Sequence, residues 1–185
     1  MEESVEDFQL AVFKGTYRHR IDPKGRVPVP AAFRRALAEA GETRLVATLL
    51  DQCLAVYPAS EWRRLEQQLR QLPAFSREVK ALTRLLASRA VDCELDVQGR
   101  ILLPSVLRQA AHLAGEVMAV GVLDRFELWP PAAWDDFLRD SERLLDDVSL
   151  TVQWPGVPGP AAPAVPEEPP PRGRSPRRPQ EKPSR

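Results

Sequence analysis

The residues best suited to chemistry are those of the segment Asp22–Arg26, which reads Asp-Pro-Lys-Gly-Arg. Asp22 suits the first position of a β-turn, Pro23 suits the second with its fixed φ, and Gly25 can adopt a positive φ. The Asp22 carboxylate can accept hydrogen bonds from turn N–H groups and can face Arg26, which predicts a structural staple. A protruding arginine can also read guanine edges in DNA, while a neighbouring lysine serves phosphates. From the residues alone, Arg26 can serve either as part of a structural staple or as a DNA contact.

This motif occurs twice in the chain. Residues 22–36 return 74 residues later as residues 96–110, with Asp96, Gly99 and Arg100 at the turn positions. A second pair of segments, ending at Tyr57 and Trp129, recurs 72 residues apart. Internal repetition decides the architecture of a chain. Because each copy is too short for a good core, we expect the two copies to bury their apolar faces against each other. A catalytic site usually breaks such symmetry, whereas a duplicated binding module keeps it.

Positive charge is concentrated in the first copy, although the chain as a whole has a formal net charge of zero. Residues 13–35 contain seven lysines and arginines against one acidic residue, whereas residues 88–112 contain three arginines against three acidic residues. A clustered basic face is what contact with phosphates requires. The alternative is a solvated charged face without a partner. The basic residues considered for DNA contact beside Arg26 are Lys14, Arg18, Arg20 and Lys24.

The sequence contains no persuasive catalytic or metal-binding constellation. The nucleophile-elbow, P-loop and zinc-protease motifs are absent from it. His19 and His112 are too few and too far apart to predict a metal site. Cys53 and Cys93 lie in apolar, strand-like segments and are interpreted as buried thiols in a reducing compartment. We therefore expect no enzyme activity, no cofactor and no small-molecule substrate.

Local signals predict the same order of elements in each copy, namely strand, turn, strand, short helix, hairpin and helix. In the first copy the predicted elements are strands 17–21 and 26–29, helix 31–40, hairpin strands 45–50 and 54–57, and helices 60–72 and 76–90. In the second copy they are strands 91–95 and 100–103, helix 105–113, hairpin strands 117–123 and 126–129, and helix 131–146. Each turn is expected to close a hairpin within its own copy. The repeated aromatic residues Tyr57, Trp62, Trp129 and Trp134 are predicted to be core.

The two ends of the chain differ in composition from the middle. Residues 1–12 are acidic, lack the features of a signal peptide and are predicted to be a flexible leader. Eleven of the 19 prolines lie in the last 31 residues, interspersed with arginines, which predicts a disordered tail over residues 153–185. A solvated tail without a specific role is favoured over a DNA tether or a partner ligand. There is no apolar run long enough to span a bilayer.

Two sets of motifs in the correct order resemble the MraZ family. Phe13–Arg26, Pro30–Arg34 and Cys53–Pro58 are similar to the first half of that family, and Glu94–Pro104 and Arg125–Trp129 are similar to the second half. The resemblance implies an α+β fold with two tandem swapped-hairpin units of the SpoVT/AbrB type, which form an intramolecular pseudo-dimeric barrel with flanking helices. The units are expected at residues 13–62 and 90–134, with a helical connector at 63–89 and a C-terminal helix at 135–152. Compared with the family pattern, either the leader is extra or the start codon is misassigned, and the proline-rich tail is also extra.

The resemblance also implies a function, which is that of a sequence-specific DNA-binding transcriptional regulator. Such a protein is cytoplasmic and nucleoid-associated, assembles into a ring, and binds short direct repeats of double-stranded DNA at the promoter of its own division and cell-wall gene cluster. Arg26 is the DNA-contact position with most support, followed by Lys24, Arg20, Arg18, Lys14 and, in the second copy, Arg100. The residues expected to build the turns are Asp22, Gly25, Asp96 and Gly99. The alternative is a ring-forming scaffold with incidental DNA affinity, whose docking surface would be the helices at 60–90 and 131–146.

Overall fold

The fold is mixed α and β with antiparallel strands, and a computed structural model describes residues 10–142 of the chain. The first copy contains β1 (Thr16–Arg20), β2 (Arg26–Pro28), α1 (Ala31–Glu39), β3 (Arg44–Leu50), β4 (Cys53–Pro58), α2 (Ala59–Gln71) and α3 (Arg77–Ala87). The second copy contains β5 (Val91–Glu94), β6 (Arg100–Leu102), α4 (Ser105–Ala110), β7 (Glu116–Gly121), β8 (Phe126–Trp129) and α5 (Pro131–Glu142). The predicted order of elements is confirmed over the described residues.

Strand pairing exchanges elements between the two copies. Six strands form one antiparallel sheet in the order β1-β7-β8-β4-β3-β5. The first strand of each copy pairs with the third strand of the other, so β1 lies beside β7 and β5 beside β3. The central pair, β4 and β8, joins the last strands of the two copies. The arrangement is therefore pseudo-symmetric, and each copy completes the sheet of the other.

The predicted hairpins around the two turns are wrong in their pairing. The ladder partner of β2 is β6 of the other copy, not β1. Val27 and Ile101 lie directly opposite each other in that ladder, and both are buried. Each of these strands has only three residues, so pairing across the copies lets both apolar side chains enter one shared core. The sequence signals identified the turns but not the partners of the strands that follow them.

The predicted closure into a barrel is also wrong for the described residues. β1 and β5 are the two edges of the six-stranded sheet, and within residues 10–142 no ladder joins these edges to each other or to β2 and β6. The short strands β2 and β6 form a separate two-stranded sheet. Pro28, Pro30 and Pro104 lack the N–H group that a longer ladder would need. The ladder between β2 and β6 therefore stays short, and it does not connect the two edges of the six-stranded sheet.

One core is shared by both copies and lies on the inner face of the large sheet. Phe13 and Phe33 from the first copy contact Phe126 from the second, with ring centroids 5.4 Å apart in each of the three pairs. All three side chains are almost fully buried. β4 is buried along its whole length, because the core covers one face and α2 packs against the other. Neither copy has this core alone, as the short repeat led us to expect.

The helices α2, α3 and α5 lie on the outer face of the sheet. Tyr57 and Trp129 of the sheet and Trp62 of α2 are buried between the sheet and these helices, which confirms the prediction that they are core. Trp134 is half-buried. Among the described helices none is long and apolar enough to cross a membrane. The predicted leader up to residue 9, the part of the C-terminal helix after Glu142 and the tail at 153–185 lie outside the described residues.

Candidate nucleic-acid interface

The segment Asp22–Arg26, named turn 1 from here on, is closed by backbone and side-chain hydrogen bonds. The Asp22 N–H donates to the Arg26 carbonyl at 2.9 Å, and the Gly25 N–H donates to the Asp22 carbonyl at 2.9 Å. The Asp22 carboxylate accepts a further bond from the Arg26 N–H at 2.8 Å. Gly25 has a φ of +86°, a conformation that side chains with a Cβ rarely adopt. Asp22 and Gly25 therefore determine the backbone conformation of turn 1, which positions the side chains of Lys24 and Arg26.

The segment Asp96–Arg100, named turn 2, has the same backbone but a tighter side-chain arrangement. The Asp96 carboxylate accepts from the N–H groups of Gln98 at 2.9 Å and Arg100 at 3.0 Å. Its Oδ2 also accepts from Arg100 Nε at 2.9 Å and lies 2.8 Å from Arg100 Nη2. In turn 1 the corresponding distance from Arg26 Nε to Asp22 Oδ2 is 3.6 Å. The Arg100 guanidinium is thus held by its aspartate, whereas the Arg26 guanidinium is held only loosely.

Both turn aspartates are more acidic than free aspartic acid. The hydrogen bond from the Arg26 N–H is the main cause that lowers the pKa of Asp22. The hydrogen bond from the Arg100 side chain, followed by that from its N–H, lowers the pKa of Asp96. Both carboxylates are therefore ionised at neutral pH, and each offsets one positive charge beside it.

The other predicted cations lie along β1, which leads directly into turn 1. Arg18 and Arg20 point outward, while Tyr17 and His19 alternate toward the interior. Both arginines approach Glu116 on β7, at 3.5 Å and 3.8 Å, through side chains that are largely exposed. Exposed pairs of this kind contribute little to stability, so these arginines remain available to another anion.

The structure brings only some of the predicted residues together. Lys24 is exposed at turn 1 beside the partly exposed Arg26, and the adjoining strand carries Arg18 and Arg20. Lys14 is exposed but precedes β1, at the far end of that strand from turn 1. Arg100 belongs to turn 2 and is partly exposed.

Charge is reversed between the equivalent edge strands. The offset of 74 residues places Asp92 and Glu94 of β5 at the positions that Arg18 and Arg20 hold in β1. Asp92 and Glu94 are exposed, as their counterparts are. The strand that enters turn 1 therefore presents positive charge, and the strand that enters turn 2 presents negative charge. Because DNA is a polyanion, only the first of these edges attracts it.

Sequence reasoning missed two further arginines that lie against the turns. Arg108 of α4 covers Gly25 in turn 1, and Arg34 of α1 covers Gly99 in turn 2, so each turn is covered from the other copy. The repeat itself was the available signal, because these arginines occupy equivalent positions of the duplicated segment. Their role depends on a contact between copies, which a local motif does not show.

Sequence reasoning also missed a buried charged residue, Glu127 of β8. Arg125 donates to its Oε1 from Nε at 3.2 Å and from Nη2 at 3.1 Å, and the Trp129 indole donates to its Oε2 at 3.0 Å. The Arg125 guanidinium also lies over the Tyr57 ring, 5.5 Å from its centroid. Alternation along β8 puts residues 125, 127 and 129 on one face, which was the signal for this network. These contacts stabilise the strand centre away from turn 1.

The repeat seen in the sequence and in the fold agrees with comparisons with known proteins. A family model described as "MraZ protein, putative antitoxin-like" matches residues 12–85 and again residues 86–150. The chain belongs to the MraZ family. The two matched ranges correspond to the two copies seen in the fold, so the resemblance noted in the sequence is confirmed.

The matches between this chain and curated MraZ relatives extend over most of each relative's length. The "Transcriptional regulator MraZ" of Desulfitobacterium hafniense (strain Y51) is 50% identical over 132 residues, which is 71% of this chain and 90% of the relative. That of Natranaerobius thermophilus is 42% identical over 138 residues, 75% of this chain and 94% of the relative. That of Halothermothrix orenii is 40% identical over 147 residues, 79% of this chain and 100% of the relative. These relatives are named as regulators, which confirms the prediction that the chain is not an enzyme.

Proposed function

We propose that this chain is a sequence-specific DNA-binding transcriptional regulator that reads double-stranded DNA with turn 1. Its target is the promoter of the division and cell-wall gene cluster that encodes it, where it binds short direct repeats and represses transcription. Curated relatives that are named transcriptional regulators support the regulatory part of this proposal. The geometry of turn 1 supports the assignment of the DNA-contacting residues.

The observation that carries the assignment is the loose pairing of the Arg26 side chain with Asp22. Its guanidinium lies 3.6 Å from the nearest oxygen of Asp22, beyond hydrogen-bond distance, while the turn backbone is closed without its help. A guanidinium on a rigid, exposed turn can form two parallel hydrogen bonds with a guanine edge. Arg100 is occupied by Asp96, so we place it outside the principal contact.

The neighbouring cations supply affinity rather than sequence information. In this proposal Lys14, Arg18, Arg20 and Lys24 contact phosphates, which positions turn 1 on the duplex. Four such contacts predict a salt slope of about −3.6, so a rise from about 50 to about 200 mM salt would weaken binding about 100-fold per subunit. A ring of subunits would join several weak contacts on one DNA segment and raise their effective concentration. The protein would act in the cytoplasm, associated with the nucleoid.

The experiment that tests this proposal is fluorescence anisotropy with two labelled DNA duplexes. One duplex carries the region upstream of the gene cluster, and the other carries the same bases in scrambled order. Titrations at two salt concentrations give the affinity, the preference and the salt slope. We expect tight, salt-sensitive binding that prefers the upstream duplex. Equal and weak binding to both duplexes would contradict the proposal, because a basic surface alone does not discriminate sequence.

A specific observation supports a second candidate, a scaffold function in which DNA binding is incidental. A groove of about 540 Å³ lies between α2 and α3, with Trp62 and Leu86 among its lining residues. Phe75, in the connection between these helices, is 93% exposed, and Leu82 and Leu85 are also exposed. Apolar surface of this kind is typical of protein contacts. A flat salt dependence of DNA binding together with loss of assembly in Phe75→Ser would favour this candidate.

A further inference from the structure

Each turn glycine is covered by an arginine from the other copy. A Cβ atom built on Gly25 would lie 2.9 Å from Nε and 3.0 Å from Cζ of Arg108, and one built on Gly99 would lie 2.5 Å from Cδ of Arg34. Both glycines are buried and have positive φ. The arginine side chains therefore pack directly on these glycines, and a Cβ atom at either position would displace the arginine.

Only the arginine over turn 1 is fixed by a hydrogen bond of its own. Arg108 Nε donates to the Leu103 carbonyl at 3.1 Å, and the Leu103 N–H donates to the Gly25 carbonyl at 2.9 Å. Leu103 thus connects Arg108 with the backbone of turn 1. At turn 2 the Val29 N–H donates to the Gly99 carbonyl at 2.9 Å, but within residues 10–142 the Arg34 side chain makes no hydrogen bond. Arg108 is half-buried and Arg34 is exposed.

The two turns are consequently held in different ways. Turn 2 is held from within, because Asp96 binds the Arg100 side chain. In turn 1 the corresponding ion pair between Arg26 and Asp22 is longer, at 3.6 Å. Arg108 packs on Gly25 and bonds to Leu103, whose N–H donates to the Gly25 carbonyl. The side chain of Arg26 is therefore paired less tightly with its aspartate than the side chain of Arg100 is.

We propose that Arg108 is a positioning residue for DNA recognition by turn 1, so that the second copy sets the conformation of the reading turn of the first. This inference rests on the proposed function. Arg108 fixes the backbone around Gly25, and the fixed backbone aims Arg26 at its base. The contribution of the second copy to DNA recognition is this support rather than a contact of turn 2.

The surroundings of Arg108 favour positioning over direct contact with a phosphate. Arg108 and Lys24 line an open cavity of about 620 Å³ together with Asp92 and Glu94. The two carboxylates offset the positive charges of Lys24 and Arg108 in this cavity, so the cavity has no excess positive charge for a phosphate group. Lys24 is also exposed on turn 1 and can reach a phosphate outside the cavity, whereas Arg108 is half-buried. The guanidinium is therefore better placed to act on the turn than on the DNA.

Three substitutions of the full-length chain separate the two roles. Arg108→Gln puts an amide nitrogen at the same chain position as Nε, so it can lie over Gly25 and donate to Leu103, but it has no charge. Arg108→Lys keeps the charge but has neither the planar group nor a donor at that position. Arg108→Ala lacks both. Arg34→Ala is the matched control, because it removes the equivalent side chain from turn 2.

We expect Arg108→Ala to weaken binding to the upstream duplex about tenfold, the scale of one hydrogen bond, with the salt slope of the wild type. Arg108→Gln should restore most of this affinity, Arg108→Lys should not, and Arg34→Ala should bind as the wild type does. The proposal is overturned if Lys restores binding and Gln does not, with a slope reduced by about 0.9 in Arg108→Ala, because that pattern identifies a phosphate contact. Unchanged affinity in Arg108→Ala also overturns it. If the alanine variant fails to fold, the comparison of Gln with Lys decides.

Amide hydrogen exchange tests the positioning without DNA and so separates it from the proposed function. We expect Arg108→Gln to keep the protection of the Gly25 N–H, and Arg108→Lys to lose it while the Gly99 N–H stays protected. Wild-type protein that shows no DNA preference, together with this exchange pattern, would reject the function and retain the support of turn 1 by Arg108. Equal protection of Gly25 in all variants would reject the support itself.

Discussion

Turn 1 and turn 2 have the same closing hydrogen bonds and the same positive-φ glycine, yet their arginines are in different states. In turn 2 the Arg100 side chain is bound to Asp96, whereas in turn 1 the Arg26 side chain is not within hydrogen-bond distance of Asp22. The edge strands that enter the turns carry opposite charge. Both copies have the aspartate that bonds to the turn, whereas the loosely paired arginine and the positively charged edge strand are found in the first copy. The structural and functional roles of this motif can therefore be separated by experiment.

The largest expected effect comes from removing Arg26, the more loosely paired of the two turn arginines. Arg26→Ala should abolish the preference for the upstream duplex and lower affinity about 100-fold, because a bidentate contact with guanine contributes up to about 3 kcal/mol. The matched variant Arg100→Ala should bind DNA nearly as the wild type does and melt at a lower temperature. Anisotropy titrations and thermal unfolding of both variants check this. Equal losses of affinity in the two variants would show that both turns read DNA.

The next effect comes from exchanging the charges of the edge strands. The double variant Arg18→Asp, Arg20→Glu gives β1 the residues of β5, and it should reduce the salt slope by about 1.8 because two phosphate contacts are lost. The reverse variant, Asp92→Arg, Glu94→Arg, should strengthen binding to the scrambled duplex more than to the upstream one. Titrations over a salt series measure both slopes. An unchanged slope in the first variant would remove β1 from the interface.

A smaller effect is expected when each staple is removed in turn. Asp96→Ala loses three hydrogen bonds to Gln98 and Arg100, whereas Asp22→Ala loses one to Arg26. The melting temperature should therefore fall more for Asp96→Ala. The folded pKa of each aspartate is below the usual 3.8. The contribution of each carboxylate to the free energy of unfolding is therefore fully present above pH 3.8 and is lost as the pH falls through the lower folded pKa. Each variant should accordingly flatten the loss of stability in acid, and Asp96→Ala should do so more, as melting curves over a pH series will show.

The smallest effect concerns His19, whose counterpart in the second copy is Cys93. Burial lowers the pKa of His19 from 6.5, so the unfolded chain binds a proton more readily than the folded one. The stabilising contribution of neutral His19 should be fully present above pH 6.5, and it should be lost as the pH falls from there toward the lower folded pKa. The variant His19→Cys, which takes the residue of the other copy, should lose this pH dependence. His112→Gln, at an exposed position, is the control and should keep it in the same melting series.

The sequence allowed the local elements to be predicted, because each depends on a nearby signal. Asp22, Gly25 and their counterparts defined the turns, and alternation defined the strands. The partners of β2 and β6 and the open edges of the sheet could not be predicted, since pairing depends on which apolar side chains meet in the shared core. Barrel closure was expected from family resemblance alone, whereas β2 and β6 form a separate two-stranded sheet and their ladder stays short beside prolines that lack an N–H group.

The candidate site could be predicted only in part for the same reason. The charges of Lys24 and Arg26 are visible in the sequence, as is the basic character of the first copy. The states of Arg26 and Arg100 depend on a difference of less than 1 Å in their distances to aspartate oxygens, which no motif encodes. The contact of Arg108 with Gly25 depends on the exchange of strands between copies.

The exchange of strands also has a consequence for synthesis on the ribosome. β1 finds its ladder partner in β7, so roughly 100 residues must be translated after β1 before that partner exists, which takes about 5–20 s at usual elongation rates. During this interval the nascent first copy has no partner for β1 and lacks Phe126 for its core. The second copy, made later, therefore supplies the strand partner and the aromatic side chain that complete the first copy. We expect a chain whose translation stops before β7 to lack the six-stranded sheet.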